Sequence, residues 1–207
     1  MALFDNEKQP AAEQVDGKLY LPVGYPLGYD LDNKKHENLG NNVHRWQLDE
    51  AILEMNSNGN WSFVKLTPLE FHVWSHIFYF QKEENRDELH DERCIKVLSS
   101  LRDKNVLLEA NTPHELLDKM LAYKPIRQGM GFYREDKEEK RCIALGMEFM
   151  SPAILQTDIW FCSNGETPID IMYHRFSNIF KPTIRDFESD FTLGVFDLIQ
   201  NGLLFLR

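Results

Sequence analysis

The sequence is poor in cysteine, and its three cysteines, Cys94, Cys142 and Cys162, lie far apart. An odd, scattered set does not suit the disulfide framework of a small secreted domain, and no CxxC or similar spacing suggests a zinc module. Long apolar runs are missing as well. No stretch approaches the roughly 20 residues that a membrane helix needs. The opening "MALFDNEKQPAAEQVDG" lacks a basic region followed by an apolar core, so no signal peptide is expected. Neither a P-loop nor GxGxxG occurs, which leaves nucleotide binding without sequence support. No Cys or Ser stands in a strained glycine turn, where a nucleophile would be held. Positive charge is also scarce: 23 Lys and Arg face 33 Asp and Glu, for a net charge of −10. A field of that sign repels a polyanion unless the cations are gathered on one face. These absences lead us to expect a reduced, soluble, cytoplasmic protein that is not an enzyme and carries no cofactor.

What is present is enough chain to fold. The 207 residues are 43% hydrophobic, which supports one large core or two small ones. Segments recur in order along the chain. "HVWSHIF" (His72–Phe78) is echoed by "HRFSNIF" (His174–Phe180), and "LDEAIL" (Leu48–Leu53) by "MSPAIL" (Met150–Leu155). "LYLP" at Leu19–Pro22 resembles "AYKP" at Ala122–Pro125. The echoes predict a divergent duplication: a flexible tail over 1–17, one unit over 18–110, a connector helix over 111–120, and a second unit over 121–207.

Each unit is expected to open with a β-hairpin, "KLYLPVGYPLGYDLDNKKHENLG" in the first and "GMGFYREDKEEKRCIALG" in the second. Their charged centres carry both signs and are taken as solvated tips. Helix starts are clear at "TPLE" (Thr67–Glu70), "TPHE" (Thr112–Glu115) and "TPID" (Thr167–Asp170), with Thr at the N-cap and Pro at the first helical position. The "TPHE" start opens the connector, whose Leu116, Leu117, Met120 and Leu121 recur at helical spacing. His72 and His76 stand four apart on the "TPLE" helix, a spacing that suits a metal, but the second unit has His174 with Asn178 and no third ligand is evident. No metal site is expected on that basis.

The segment "VLSSLRDKNVLLE" in the first unit and "VFDLIQNGLLFL" in the second each read as a helix, a left-handed cap at Asn105 or Gly202, and an apolar strand. This pattern resembles the third helix, turn and strand of winged-helix domains. The resemblance covers the last part of each unit and implies tandem winged-helix-like three-helix bundles, an α+β fold. Winged-helix families commonly bind DNA with the third helix and a following β-hairpin wing. The fold also serves as a protein-interaction module.

In the first unit, helical phase places Arg93, Lys96 and Ser100 on the face opposite Cys94, Val97, Leu98 and Leu101. That makes them the candidate nucleic-acid contacts, although Glu92 and Asp103 flank them. Setting Val195, Phe196 and Ile199 on Val97, Leu98 and Leu101 puts Gly194 at the Lys96 position, Leu198 at the Ser100 position and Asp197 at that of Ser99. Gly194, Asp197 and Leu198 are therefore the candidate protein-interaction residues, with Leu198 expected to point outward. Neither unit shows a basic wing after its strand. The expected function is a regulatory or adaptor protein working through a protein partner or self-association. The alternative is a DNA-binding transcriptional regulator that reads with the first unit's third helix.

Overall fold

The computed structural model describes residues 18–29, 35–38, 44–47, 50–57, 60–82, 85–89, 91–135, 139–145, 148–150 and 153–207. The tail expected over 1–17 lies outside them. The fold is α+β, made of small antiparallel sheets and mostly short helices.

The chain enters β1 (Leu19–Pro22), turns at Gly24 with φ 111°, and continues as β2 (Tyr25–Tyr29). A Cβ at Gly24 would stand 3.0 Å from the Met55 sulfur and 3.2 Å from Leu53, so the turn is closed to larger residues by both space and backbone. Next come β3 (Lys35–Asn38) and β4 (His44–Gln47), which pair with each other, then the hairpin of β5 (Ala51–Ser57) and β6 (Asn60–Leu66). The hairpin expected to open the first unit is corrected. β2 pairs with β5, and β1 pairs with β7 (Leu107–Ala110), far along the chain. Gly24 turns the chain out of the line of β1, so β1 and β2 cannot form one continuous hairpin arm.

Four helices follow β6: α1 (Pro68–Ser75), α2 (Ile77–Phe80), α3 (Arg86–Leu89) and α4 (Glu92–Asp103). Thr67 caps α1 in a capping box: its hydroxyl accepts from Glu70 N at 3.3 Å, while Thr67 N donates to Glu70 Oε2 at 2.7 Å. Asn105 then takes the left-handed conformation (φ 57°) that releases the chain into β7. The connector helix α5 (Pro113–Met120) is capped by Thr112 and buries Leu116, Leu117 and Met120.

The second half runs through β8 (Pro125–Arg127), β9 (Met130–Glu135), β10 (Glu139–Leu145), β11 (Glu148–Met150), α6 (Ile154–Cys162), α7 (Ile169–Phe180), α8 (Phe187–Gln200) and β12 (Leu204–Leu206). Here the expected hairpin is present as β9 with β10. Thr167 is corrected as a helix cap. The N-cap of α7 is Pro168, and Asn164 Oδ1 accepts from Thr167 N instead, at 3.1 Å. The echo between "LDEAIL" and "MSPAIL" does not correspond to a structural match over its described residues, because Ala51, Ile52 and Leu53 lie on β5 whereas Ile154 and Leu155 open α6.

The two halves nevertheless share a hydrogen-bond plan. β1 pairs antiparallel with β7, and β8 with β12. Val23 N donates to Val106 O at 3.0 Å, and Gln128 N to Leu203 O at 2.8 Å. Trp74 on α1 donates its indole N–H to Val23 O and Val106 O, while Trp160 on α6 donates to Gln128 O. At the third position of each of these helices a side chain accepts from the N-cap backbone: Glu70 from Thr67, and Gln156 from Ala153. These bonds relate α1 to α6 and α4 to α8, whereas the sequence echoes set α1 beside α7. The free edge of β1 is covered by the Gln81 amide, which bonds both N and O of Tyr20 at 2.9 Å. In the second half backbone does the same work, with Gly165 N donating to Pro125 O and Arg127 N to Ser163 O.

The halves meet along α5 and α8 and at several further points. Phe78 meets Phe196 edge to face at 5.0 Å, and Tyr25 meets Phe205 at 5.6 Å. Gly24 N donates to Leu206 O at 2.6 Å. Among the described residues no helix is long and apolar enough to cross a membrane.

Candidate interaction surface

Strand alternation divides the β2–β5–β6 sheet into two faces. Ala51, Leu53, Met55 and Leu66 point inward and are buried. The register pairs Glu54 with Phe63 and Ile52 with Lys65, and these residues share the other face with Trp61. Trp61 is 53% exposed and Phe63 67%, two large rings in alternate positions of one strand. Nothing in the sequence reading singled them out, although "NWSFVKL" carries the alternation openly.

One edge of this face is clamped by the other half of the chain. The Arg207 guanidinium lies 4.4 Å from the Trp61 ring centroid, donates through Nη1 to Glu54 Oε1 at 3.0 Å, and through Nη2 to Gly165 O at 3.1 Å. Its Nε is buried without a hydrogen-bond partner. Lys65 pairs with Glu50 at 3.4 Å. The cations around the aromatic pair are thus matched by carboxylates.

Of the candidate nucleic-acid residues on α4, Arg93 and Lys96 are exposed and Ser100 is half-buried. Arg93 is exposed beside the Asp91 cap. Lys96 pairs with Glu92 at 2.6 Å, an exposed i, i+4 pair on the same helix. Ser100, expected outward, is turned inward: its hydroxyl donates to Glu70 Oε1 at 2.6 Å and ties α4 to α1. Lys104 closes the same arrangement with bonds to both Glu70 oxygens. Burial pushes the Glu70 carboxyl up, but the bonds from Lys104, Ser100 and Thr67 outweigh it and hold the group at about 2.

The candidate protein-interaction residues on α8 are internal, and the expectation that Leu198 points outward is corrected. Leu198 is 2% exposed. Its carbonyl accepts from Leu203 N as the Leu101 carbonyl accepts from Val106 N, so Leu198 stands in the place of Leu101 and not of Ser100. The alignment of the two helices was one residue out of phase. Gly194 is buried, and a Cβ there would meet Gln156 and Ile159 of α6 at 3.4 Å. Asp197 accepts from Gln156 Nε2 at 2.9 Å, and burial raises its carboxyl above the ordinary value. The α8 residue that meets the first half of the chain is Phe196, whose ring stands edge to face with Phe78.

A shallow groove of about 360 Å3 runs between β7 and α5, lined by Arg102, Leu108, Glu109, Glu115 and Lys119 among others. Its charges neutralise one another. Lys18 and Arg102 pair with Glu109, and Lys119 pairs with Glu115 and donates to the Glu109 carbonyl. Among the described residues no group of three or more His, Cys, Asp or Glu could hold a metal ion. In comparisons with protein-family models, curated proteins and solved structures, nothing matches this chain.

Proposed function

We propose that the chain is a non-enzymatic regulatory or adaptor protein that works through protein–protein contacts on a scaffold of two related winged-helix-like units. The shared bonds of Trp74 and Trp160, the third-position side chains Glu70 and Gln156, and the closing strands β7 and β12 support the duplication. The succession of helix, left-handed residue and strand at α4–Asn105–β7 and α8–Gly202–β12 supports the winged-helix likeness.

The observation that carries the functional reading is the exposed pair Trp61 and Phe63. Aromatic side chains of this kind are the anchors that protein interfaces bury, and covering what remains exposed of each gains part of the roughly 1.5–3 kcal/mol that full burial of such a side chain supplies. The occupant that fits is an apolar side-chain cluster on another protein. Nucleic-acid bases also stack on aromatic rings. The adjacent cations, however, are already paired with Glu50 and Glu54, and the chain as a whole is acidic. The reading of DNA by α4 has lost Ser100 to an internal bond, and Lys96 is paired with Glu92.

The test is capture of a partner by the full chain, compared with Trp61→Ser and Phe63→Ser. Both substitutions should abolish capture and leave circular dichroism unchanged. Capture that survives both, or a salt-dependent shift of DNA that Lys96→Ala removes, would overturn the reading.

A further inference from the structure

The last turn of α1 holds two imidazoles together. His72 and His76 are both exposed, and their ring centroids lie 4.6 Å apart. Their spacing keeps helical geometry to the end, because His76 N donates to His72 O at 3.1 Å although His76 is already the C-cap. Two histidines four apart on one helix face form a chelating arrangement of the type that zinc-binding helices use.

The contact of His76 with the His72 carbonyl favours one tautomer. Its Nδ1 lies 3.0 Å from the His72 carbonyl oxygen. A carbonyl only accepts, so Nδ1 carries the proton. Ser75 Oγ donates to the same carbonyl at 3.2 Å and lies 2.9 Å from Nδ1, where its oxygen can accept from that N–H. Nε2 of His76 therefore bears the free lone pair. A ligand histidine whose other nitrogen is anchored on backbone is the usual arrangement at metal centres, because the anchor orients the ring and raises its basicity.

We propose that His72 and His76 form a two-imidazole site for a divalent transition-metal ion of the zinc, nickel and copper class. Imidazole nitrogen suits these ions and does not suit magnesium or calcium, which take oxygen. Two protein ligands leave coordination positions open to water or to a donor from another molecule, and among the described residues no third side chain completes the set. The site is therefore one of exchangeable binding, not a structural centre on which folding depends. It is independent of the aromatic surface on β6.

The experiment is calorimetric titration of the full chain with zinc chloride and with nickel chloride in a non-coordinating buffer, with magnesium chloride as control. One equivalent of zinc or nickel should bind, and magnesium should not. His72→Ala and His76→Ala should each weaken binding by about tenfold or more, since each removes the intramolecular second ligand. His114→Gln and His174→Gln, whose imidazoles face Glu188 and Asp170, should leave it unchanged. Circular dichroism should be identical for all four variants. The absence of a saturable site up to millimolar metal, or titrations of His72→Ala and His76→Ala that superimpose on the parent, would overturn the assignment.

Discussion

Gln156 on α6 reaches Asp197 on α8 and donates its amide N–H to the carboxylate at 2.9 Å, in the place where Ser100 donates to Glu70 in the first half. The direction of the bond is reversed between the halves. In the first half the carboxylate is on α1 and has Lys104 beside it; in the second it is on α8, and the bond recorded to it comes from a neutral amide. The two carboxyls therefore titrate in opposite senses.

For Asp197, burial favours the neutral acid and raises the folded-state value above the ordinary 3.8. A raised value contributes stability below the unfolded value that is lost as pH rises through the folded one. Asp197→Asn should therefore melt above the parent at neutral pH, with the gap closing as pH falls below 3.8. Thermal melts across that range check it. An unchanged or lower melting temperature at neutral pH would show that the charged form is well solvated.

Glu70 behaves the other way. Its folded value lies near 2 against an ordinary 4.5, so its contribution is present above 4.5 and is lost as pH falls toward 2. The side chain is only 8% exposed, and the shift corresponds to on the order of 3 kcal/mol at neutral pH. Glu70→Gln should lower stability by an amount of that order and flatten the acid limb of the stability curve. Denaturant melts at pH 7 and pH 3 would separate the two proteins widely at the first pH and by clearly less at the second, where the carboxyl is still partly ionised in the folded state.

The two threonine starts should differ. Thr67→Ala removes a true capping bond and should cost about 1 kcal/mol. Thr167→Ala should cost little through capping, because the side chain of Asn164 supplies the acceptor for Thr167 N. Equal losses in chemical denaturation would contradict the assignment of the α7 start to Pro168.

Local chemistry made much of the fold legible. The cap at Thr67, the Thr112 start of α5, the left-handed Asn105 and Gly202 and the amphipathic phase of α4 all follow from neighbouring residues. Long-range pairing was not legible in this way. The association of β1 with β7 is set by burial and by the Trp74 and Gln81 bonds, none of which leaves a local signature. The phase of α8 failed for another reason. This helix is covered by α5, α6 and Phe78, so apolar residues lie on several of its faces and periodicity no longer marks one core side. Ser100 was misjudged because a small hydroxyl facing a carboxylate on another helix looks the same in sequence as one facing water.

That phase can be checked by substitution. Leu198→Ala should cost about 2–5 kcal/mol, as a leucine removed from a packed core does. Gly194→Ala should be neutral or stabilising. The added methyl fits at ordinary contact distance, 3.4 Å from Gln156 and Ile159, and alanine gains up to about 1 kcal/mol of helix propensity over glycine. Were Leu198→Ala harmless and Gly194→Ala disruptive, the one-residue correction to α8 would be wrong.

Arg207 should act as the clamp between the halves. Its side chain is 20% exposed and that of Glu54 17%, so the pair is largely removed from water, and the guanidinium also covers one side of Trp61. Removing one member of a buried pair leaves the other charge without its partner and typically costs about 3–5 kcal/mol. Removing both costs less than the sum. The unpartnered Nε sets a limit on the net gain, because its desolvation is not returned by a hydrogen bond. Arg207→Met and Glu54→Gln should each therefore destabilise clearly, and the double substitution should be less than additive by about 1 kcal/mol or more, within the range for contacting residues. Arg207→Met should also increase the solvent exposure of Trp61, visible as a change in its fluorescence. Additive losses in the double-mutant cycle would mean that Arg207 and Glu54 contribute independently, and the junction would then rest on the packing of α5 with α8, Phe78–Phe196, Tyr25–Phe205 and the Gly24–Leu206 bond.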